Sequence, residues 1–299
     1  MNLVRHLLPL VAVCLSVAAL AQQSSDTPGW QTAAGGKMTF DVASVKPIAR
    51  ELQHRSNFPL DNRDAFVPGG RISATFQLWV YIKFAYKLSV DEGRTAQARL
   101  PSWVNNSSDL FAIDARAEGN PTKDQMRLMM QSLLSERFKL AVHFETREVP
   151  VLALTLVKPG QPGPKLRRHS EGPPCPAYGS PLPQSDVFPS VCDTLPLELN
   201  GLHERLGSRN TTMALIADAI SMSHDVDQMV VDRTGLAGIF DFTLDYTAED
   251  PGAPNGALPD PQGSSFGIAL RDQLGVKLVP SKAPVRMIVI DHVERASEN

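Results

Sequence analysis

The sequence predicts an α+β protein made of two similar helix-strand-helix-strand-strand units, each a small mixed or antiparallel sheet packed against helices. Three observations lead there. Stretches with apolar residues three and four apart alternate along the chain with stretches in which every second residue is apolar. A Pro-, Gly- and Ser-rich region, 158–207, divides the chain. Blocks on its two sides match in order: Phe111-Ala-Ile-Asp-Ala115 with Phe240-Asp-Phe-Thr-Leu244, Leu133-Leu-Ser-Glu-Arg-Phe-Lys-Leu140 with Leu270-Arg-Asp-Gln-Leu-Gly-Val-Lys-Leu278, and Val149-Pro-Val-Leu-Ala-Leu154 with Ala283-Pro-Val-Arg-Met-Ile288. The expected organisation is a signal peptide at 1–21, a flexible leader at 22–37, a first unit at 38–157, a loop at 158–207 and a second unit at 208–299.

In the first unit, Phe40-Asp-Val-Ala-Ser-Val-Lys46 alternates and reads as a strand before Pro47. A loop from Ile48 to Gly70 follows. From Ala74 an aromatic-rich stripe, Phe76, Trp79, Val80, Ile82, Phe84 and Tyr86, reads as a helix ending near Leu88. Leu110 to Arg116 is a strand. A helix through Met126, Met130, Leu133, Leu134 and Phe138 starts with Thr122 as its cap, or with Asn120 as cap and Pro121 in the first helical position. Leu140 to Arg147 and Val151 to Val157 read as two strands joined at Glu148-Val-Pro150 in a hairpin-like pair.

The second unit repeats this order. Thr211 or Thr212 caps a helix through Met213, Ile216, Ile220 and Met222. Val230 to Gly238 is a short strand and turn, and Phe240, Phe242, Leu244 and Tyr246 share one face of a strand. Thr247 to Gly263 is an insertion without an apolar stripe. Ser264 or Ser265 opens a helix to Leu274, Gly275 ends it in the left-handed conformation, and Val276–Val279 and Pro284–Asp291 close the unit as a pair of strands.

Residues 1–21 carry one positive charge at Arg5, an apolar run from Leu7 to Leu20 broken by Pro9 and Ser16, and the ending Ala19-Leu20-Ala21. That is the form of a secretory leader cut after Ala21. The run is about 14 residues, whereas a membrane anchor needs about 20. A lipid anchor through Cys14 is disfavoured because Val11 and Val13 stand where small residues belong. The expectation is export, to the periplasm or beyond the cell, with no transmembrane segment after leader cleavage.

Cleavage leaves Cys175 and Cys192, 17 apart. In an oxidising compartment they read as a disulfide closing a long loop; two free thiols or half a metal site are the alternatives, and the sequence shows no Cys-x-x-Cys or close His to support them. With 29 Lys plus Arg against 32 Asp plus Glu, general nucleic-acid binding is disfavoured. The basic cluster Lys165, Arg167, Arg168 and His169 reads as a solvated loop.

Catalytic signals are sparse. His143 and Glu145 point the same way on a strand and read as a surface pair. Ser223-His224-Asp225 is adjacent in sequence, whereas nucleophile-base-orienter relays are assembled from separated segments. Gly235-Leu-Ala-Gly238 precedes a strand, so it fails the context of a phosphate-binding loop; Asp232 and Arg233 read as a charged turn. The aromatics Trp79 and Tyr81, with Trp103 after Pro101, are the candidate lining of a ligand or partner groove. No catalytic residue, metal or cofactor is assigned.

The blocks Phe40-Asp-Val-Ala-Ser-Val-Lys-Pro47, Leu133 to Leu140, Val142-His-Phe-Glu-Thr-Arg-Glu-Val-Pro-Val151, Gly163-Pro-Lys-Leu166, Val231 to Leu244 and the ending Val289 to Asn299 resemble the exported Solibacter-type proteins of Acidobacteria known by the domain of unknown function DUF3738. The resemblance implies secretion or envelope association, and relatives of the domain attached to sensor-type metallopeptidases. It carries no active site onto this chain, which lacks a His-Glu-x-x-His sequence. Each unit also resembles, in element order alone, the short module at the start of secretins and siderophore receptors. The leading expectation is an exported binding or interaction module for a small molecule or an envelope protein. An extracellular hydrolase with an unrecognised site and a structural envelope protein are the alternatives.

Overall fold

The computed structural model describes residues 27–48, 54–97, 100–171, 174–176, 189, 192–193, 197–200, 202–223, 225–248 and 264–296. A short helix α1 (Gly29–Ala33) precedes strands β1 (Val42–Ile48), β2 (Arg55–Ser56) and β3 (Arg71–Gln77). Helices α2 (Leu78–Ala85), α3 (Val90–Gln97) and α4 (Ser102–Asn105) lead to β4 (Leu110–Arg116) and to the long α5 (Lys123–Phe138). The four strands form an antiparallel sheet in the order β1-β4-β3-β2. Its inner residues, Val45, Ile72, Ala74, Phe111 and Ile113, bury against α2 and the Met126–Phe138 stripe of α5.

Of the two capping alternatives for α5, Thr122 is the cap: its hydroxyl accepts from the Gln125 backbone N–H while the Gln125 side chain accepts from the Thr122 N–H. The helix read from Ala74 begins later. Residues 74–77 belong to β3, which pairs with β4 from Arg71 opposite Arg116 to Gln77 opposite Leu110. Phe76 stands three residues before Trp79, so it fits a helical stripe locally, and the cross-strand ladder overrides that period. Helices α1, α3 and α4 are short and are not in the sequence reading.

Strand β5 (Ala141–Leu156) leaves this first unit. After it come β6 (Leu166–Arg168), β7 (Leu197–Asn200), β8 (His203–Thr211), α6 (Met213–Ser221), β9 (Val230–Asp232), β10 (Phe240–Thr247), α7 (Phe266–Ala269) and β11 (Val276–His292). A second antiparallel sheet has the order β6-β10-β8-β7. Phe240, Phe242, Leu244 and Tyr246 alternate inward from β10 onto Ile216 and Ile220 of α6 and onto Phe266 and Leu270. Thr212 caps α6 by accepting from the Leu215 N–H. Strands β6 and β7 fall in the stretch read as loop, and so does the start of β8. Most of the 247–263 insertion lies outside the described residues.

The largest departure from the sequence reading is a ribbon. The hairpin-like pair expected at 140–157 and the closing pair of strands expected at 276–291 are instead two single long strands, β5 and β11, paired antiparallel from Ala141 opposite His292 to Leu156 opposite Val276. Val149 stands opposite Ala283 at its centre. Prolines 150, 280 and 284 read as breaks, yet they sit inside the strands. In a two-stranded ribbon each strand keeps an outer edge on which a missing N–H breaks no ladder bond; β9 pairs in parallel with β5 only at Leu152–Leu154. One end of the ribbon, with Val142, Phe144, Ile288 and Ile290, joins the first core, and the other, with Leu152, Leu154, Val276 and Leu278, joins the second. The result is an α+β fold with antiparallel and mixed sheets packed against helices.

Both helices that feed the ribbon end on a left-handed residue, Lys139 at φ 51° and Gly275 at φ 70°. α7 reaches Gly275 through a π-helical turn, Leu270–Leu274. There the chain crosses Gly163, whose N–H donates to the Leu274 carbonyl at 2.8 Å. A Cβ on Gly163 would stand 2.4 Å from the Gly275 nitrogen and 2.5 Å from the Gln273 oxygen, all rigid backbone. Gly163→Ala is therefore expected to cost about 2 kcal/mol in urea unfolding; an unchanged midpoint would show that the crossing yields freely.

Candidate functional site

The aromatic residues singled out by the sequence are placed in and around the first core. Trp79 and Tyr81 are 3% and 0% exposed, and the Tyr81 hydroxyl donates to the Phe111 carbonyl at 2.8 Å. α2 is enclosed by α4, α5 and β3, so both sides of the helix face protein. Trp103 is half-buried at the rim, its ring edge-on to Phe111 and capped by the Arg295 guanidinium at 4.9 Å, which also pairs with Asp109. Among the three, Trp103 alone reaches the surface.

His143 binds Asp291 across the ribbon at 2.8 Å and Glu145 on its own strand at 3.2 Å, and Arg147 pairs with Glu145. Hydrogen bonds to Asp291 and Glu145 draw the imidazole up from its ordinary value, in an exposed surface network. Asp232 accepts from the Thr234 N–H and hydroxyl, the expected charged turn. His224 of the Ser-His-Asp sequence lies outside the described residues.

A cavity of about 420 Å³ opens between the α1 segment and α5. Gln31, Thr32, Lys37, Gln131 and Ser132 are among its lining residues, which include no carboxylate or imidazole.

The chemistry-bearing side chains gather where the two units meet. Asp218 of α6 is 9% exposed; its carboxylate accepts from the Val90 N–H at the start of α3 at 2.8 Å and from Asn62 at 3.1 Å. Burial pushes this carboxyl up to about 6; the two donors pull down, and Asp91 and Glu92 push further up. Asp91, also buried, accepts from the Ser221 hydroxyl at 2.6 Å and from the Val230 N–H at 3.3 Å. Arg94 donates to the Ser221 carbonyl at 2.9 Å and Arg286 of the ribbon reaches Glu92 at 3.4 Å. The first turn of α3 and the last turn of α6 are thus bolted together by buried polar bonds.

The loop at 61–65 is held against α5 by a second network. Arg127 is fully buried and donates to the carbonyls of Asp61 and Arg63 at 2.9 and 2.8 Å as well as to Asp124. Lys123 donates to Asp61 and to the Ala65 carbonyl, both at 2.9 Å. Burial pushes Lys123 down to about 8 despite Asp61. Burial works upward on Asp61, but Lys123 and Arg63 outweigh it and hold the carboxyl below its ordinary value. Asp64, in the middle of this loop, points to solvent.

From the second unit, the expected Cys175–Cys192 disulfide is present. Cys192 bridges to Arg209 of β8 in parallel register, and Asp193 follows in the left-handed conformation, accepting from the Asn210 side chain at 2.7 Å. Burial raises the Asp193 carboxyl; Asn210, His169 and Arg63 pull down, and Asp64 pushes up. Two of those charges belong to the 61–65 loop, so the disulfide segment and that loop lie within electrostatic reach of each other. His169 was read as part of a solvated basic loop with no partner near the cysteines. Its Nδ1 lies 2.6 Å from Asp241 of β10, and its Nε2 lies 3.7 Å from the Cys175 sulfur. Lys165 of the same cluster pairs with Asp245, and Arg168 donates to the Ala237 carbonyl.

A family model described as a protein of unknown function, DUF3738, matches residues 80–293. The chain belongs to the DUF3738 family. Comparison with curated proteins and with solved structures found no match, and so gives no support to the secretin-type likeness drawn from element order. The span matched to DUF3738 contains Asp91, His169, Cys175, Cys192, Asp218 and Asp241, while the 61–65 loop precedes it. Among the described residues of this DUF3738 protein no cluster of three or more His, Cys, Asp or Glu has the form of a metal site, and no helix is long and apolar enough to cross a membrane.

Proposed function

We propose that this DUF3738 protein is an exported binding module, with its ligand face between the 61–65 loop and the disulfide segment. The observation that carries the proposal is the junction itself: Asn62 of the 61–65 loop donates to Asp218 of α6, beside the bonds from Val90 to Asp218 and from Ser221 to Asp91, while Arg63 and Asp64 of the same loop act electrostatically on Asp193 of the disulfide segment. A rigid junction presents both loops in fixed relation, which lowers the ordering cost of binding. The partner is a small molecule or an envelope protein that offers hydrogen-bond donors and acceptors to a face of mixed charge.

Internal duplication accounts for the frame. Both four-stranded sheets run in the same chain order, first-fourth-third-second. The sequence blocks beginning at Val149 and Ala283 match each other, and these two residues pair at the centre of the ribbon, where a two-fold axis relating two copies would pass. Export rests on the leader at 1–21 and the disulfide; mass spectrometry of the protein from an envelope or culture fraction should find Gln22 as the first residue.

Thermal-shift screening of the mature chain against a panel of soluble metabolites and cell-wall fragments tests the binding reading. A ligand at a hundredfold its Kd should add about 2.7 kcal/mol, roughly 5 °C in Tm. The variant Asp64→Ala should lose that shift and keep its own Tm within about 1 °C of the wild type, since this side chain is 82% exposed. A shift that survives in the variant would place binding elsewhere, and a panel without any shift would leave the small-molecule reading without foundation.

A further inference from the structure

We infer that the Cys175–Cys192 disulfide is a redox-active centre, in which His169 and Asp241 make Cys175 the leaving sulfur on reduction and the attacking sulfur on reoxidation, in exchange with external dithiols or disulfides. Three elements converge on it: the turn after β6 brings His169, β10 brings Asp241, and β8 holds Cys192 through its bridge to Arg209. The imidazole is positioned from behind. Its Nδ1 is fixed at 2.6 Å by Asp241, whose carboxylate also accepts from the Asn210 N–H at 3.0 Å and pairs with Arg209 at 3.5 Å. The other ring nitrogen is thereby aimed at the Cys175 sulfur, 3.7 Å away. A carboxylate that orients an imidazole, which in turn faces a sulfur, is the arrangement that activates a thiol nucleophile. Both cysteines are half-buried, so a small thiol reaches them.

The exchange balances as follows. A thiolate of an external dithiol attacks the Cys192 sulfur; a new sulfur–sulfur bond forms and the Cys175–Cys192 bond breaks. Cys175 leaves as a thiolate beside His169, and the proton given up by the reagent ends on the imidazole. The reagent's second thiol then attacks its own sulfur in the mixed disulfide, and Cys192 is released and protonated. The dithiol is oxidised to its cyclic disulfide and the protein gains two electrons and two protons. Run backwards, the Cys192 thiol gives up its proton and attacks the external disulfide, and the Cys175 thiolate then attacks Cys192 in the mixed disulfide, re-forming the Cys175–Cys192 bond as the external thiolate leaves and takes the proton from His169. Stabilising the thiolate of the leaving sulfur speeds the first step. The asymmetry between the two sulfurs follows from position, since of the two it is Cys175 that the ring faces.

The test reads that asymmetry. The mature chain is reduced with dithiothreitol, its fold checked by circular dichroism, and the alkylation of each cysteine by iodoacetamide followed by peptide mass spectrometry from pH 5 to 9. Charges facing the site are Asp241 from β10, Arg209 from β8 and Asp193 beside Cys192, with Asp64 and Arg63 acting on Asp193. Cys175 is expected to react at least tenfold faster than Cys192 near pH 6.5, with its reactivity rising below the ordinary thiol range of about 8.5. His169→Gln should abolish the preference and Asp241→Asn should reduce it. Equal rates with one common pH profile, or a preference that survives His169→Gln, overturn the proposal. If the reduced chain does not hold its fold, the oxidised protein supplies the answer. Its reduction by dithiothreitol should pass through a mixed disulfide on Cys192 and slow about tenfold in His169→Gln; a mixed disulfide on Cys175, or an unchanged rate, overturns it equally.

Discussion

Arg127→Ala is expected to destabilise the protein by roughly 3–5 kcal/mol, the scale for removing one partner of a buried charged network. The side chain is fully buried, and its guanidinium ties α5 to two carbonyls of the 61–65 loop and pairs with Asp124 on the same helix, with its Cζ 5.6 Å from the centre of the Phe84 ring. Truncation leaves the Asp61 and Arg63 carbonyls without their donor and opens a cavity beside Phe84. Arg127→Lys should recover less than half of the loss, because an ammonium cannot span two carbonyls and a carboxylate as the planar fork does. Urea midpoints measure both, and a loss near 1 kcal/mol or less would show that the loop finds other support. The same variant connects stability to function: with its anchor gone, the 61–65 loop should become the first site of tryptic cleavage, at Arg63, and the proposed ligand face should be lost with it.

What could be read from the sequence follows the range of the interactions involved. The strand at 110–116 and the glycine that ends the helix before β11 are written in neighbouring residues, and the structure places them as read; from the two cap candidates at each helix start it selects Thr122 and Thr212. Long-range pairing was not legible. β8 has few apolar residues and a glycine in its middle, and it is a strand because β10 and β7 flank it. The ribbon was misread for a related reason. Proline punctuates a chain locally, and only the partner strand reveals that the edges at Pro150 and Pro284 need no donor.

The candidate site shows the same division. Counting cysteines in a chain read as exported was enough for the disulfide. The imidazole beside it was hidden in a basic cluster, because its orienting carboxylate, Asp241, is 72 residues away and is brought in by the β6–β10 register. The aromatic stripe of α2 misled in the opposite sense. Trp79 and Tyr81 on different sides of one helix suggested a groove, whereas neighbouring elements bury both, and the partly exposed positions of α2 are Val80 and Lys83.

Asp218→Asn is expected to stabilise the protein at neutral pH and to remove one component of its pH dependence. The folded carboxyl is raised from 3.8 to about 6 by burial, reinforced by Asp91 and Glu92 on α3 and opposed by the Val90 N–H and Asn62. With the folded value above the unfolded one, the neutral form favours folding. Its contribution is fully present below about pH 4 and is lost as pH rises through 6. At pH 7 the ionised group therefore weighs against the folded state by on the order of 3 kcal/mol. Asparagine keeps an acceptor for Val90 and carries no charge toward Asp91, so the difference in stability between variant and wild type should grow by that order between pH 4 and 7. Taking the difference cancels Asp61 and Asp245, whose lowered values give the opposite pH trend in both proteins. A difference that stays flat across this window would mean that the Asp218 carboxylate is solvated at the junction. In that case the two units would be joined by the ribbon and not by a dry polar lock, and the fixed spacing of the two loops would lose its structural basis.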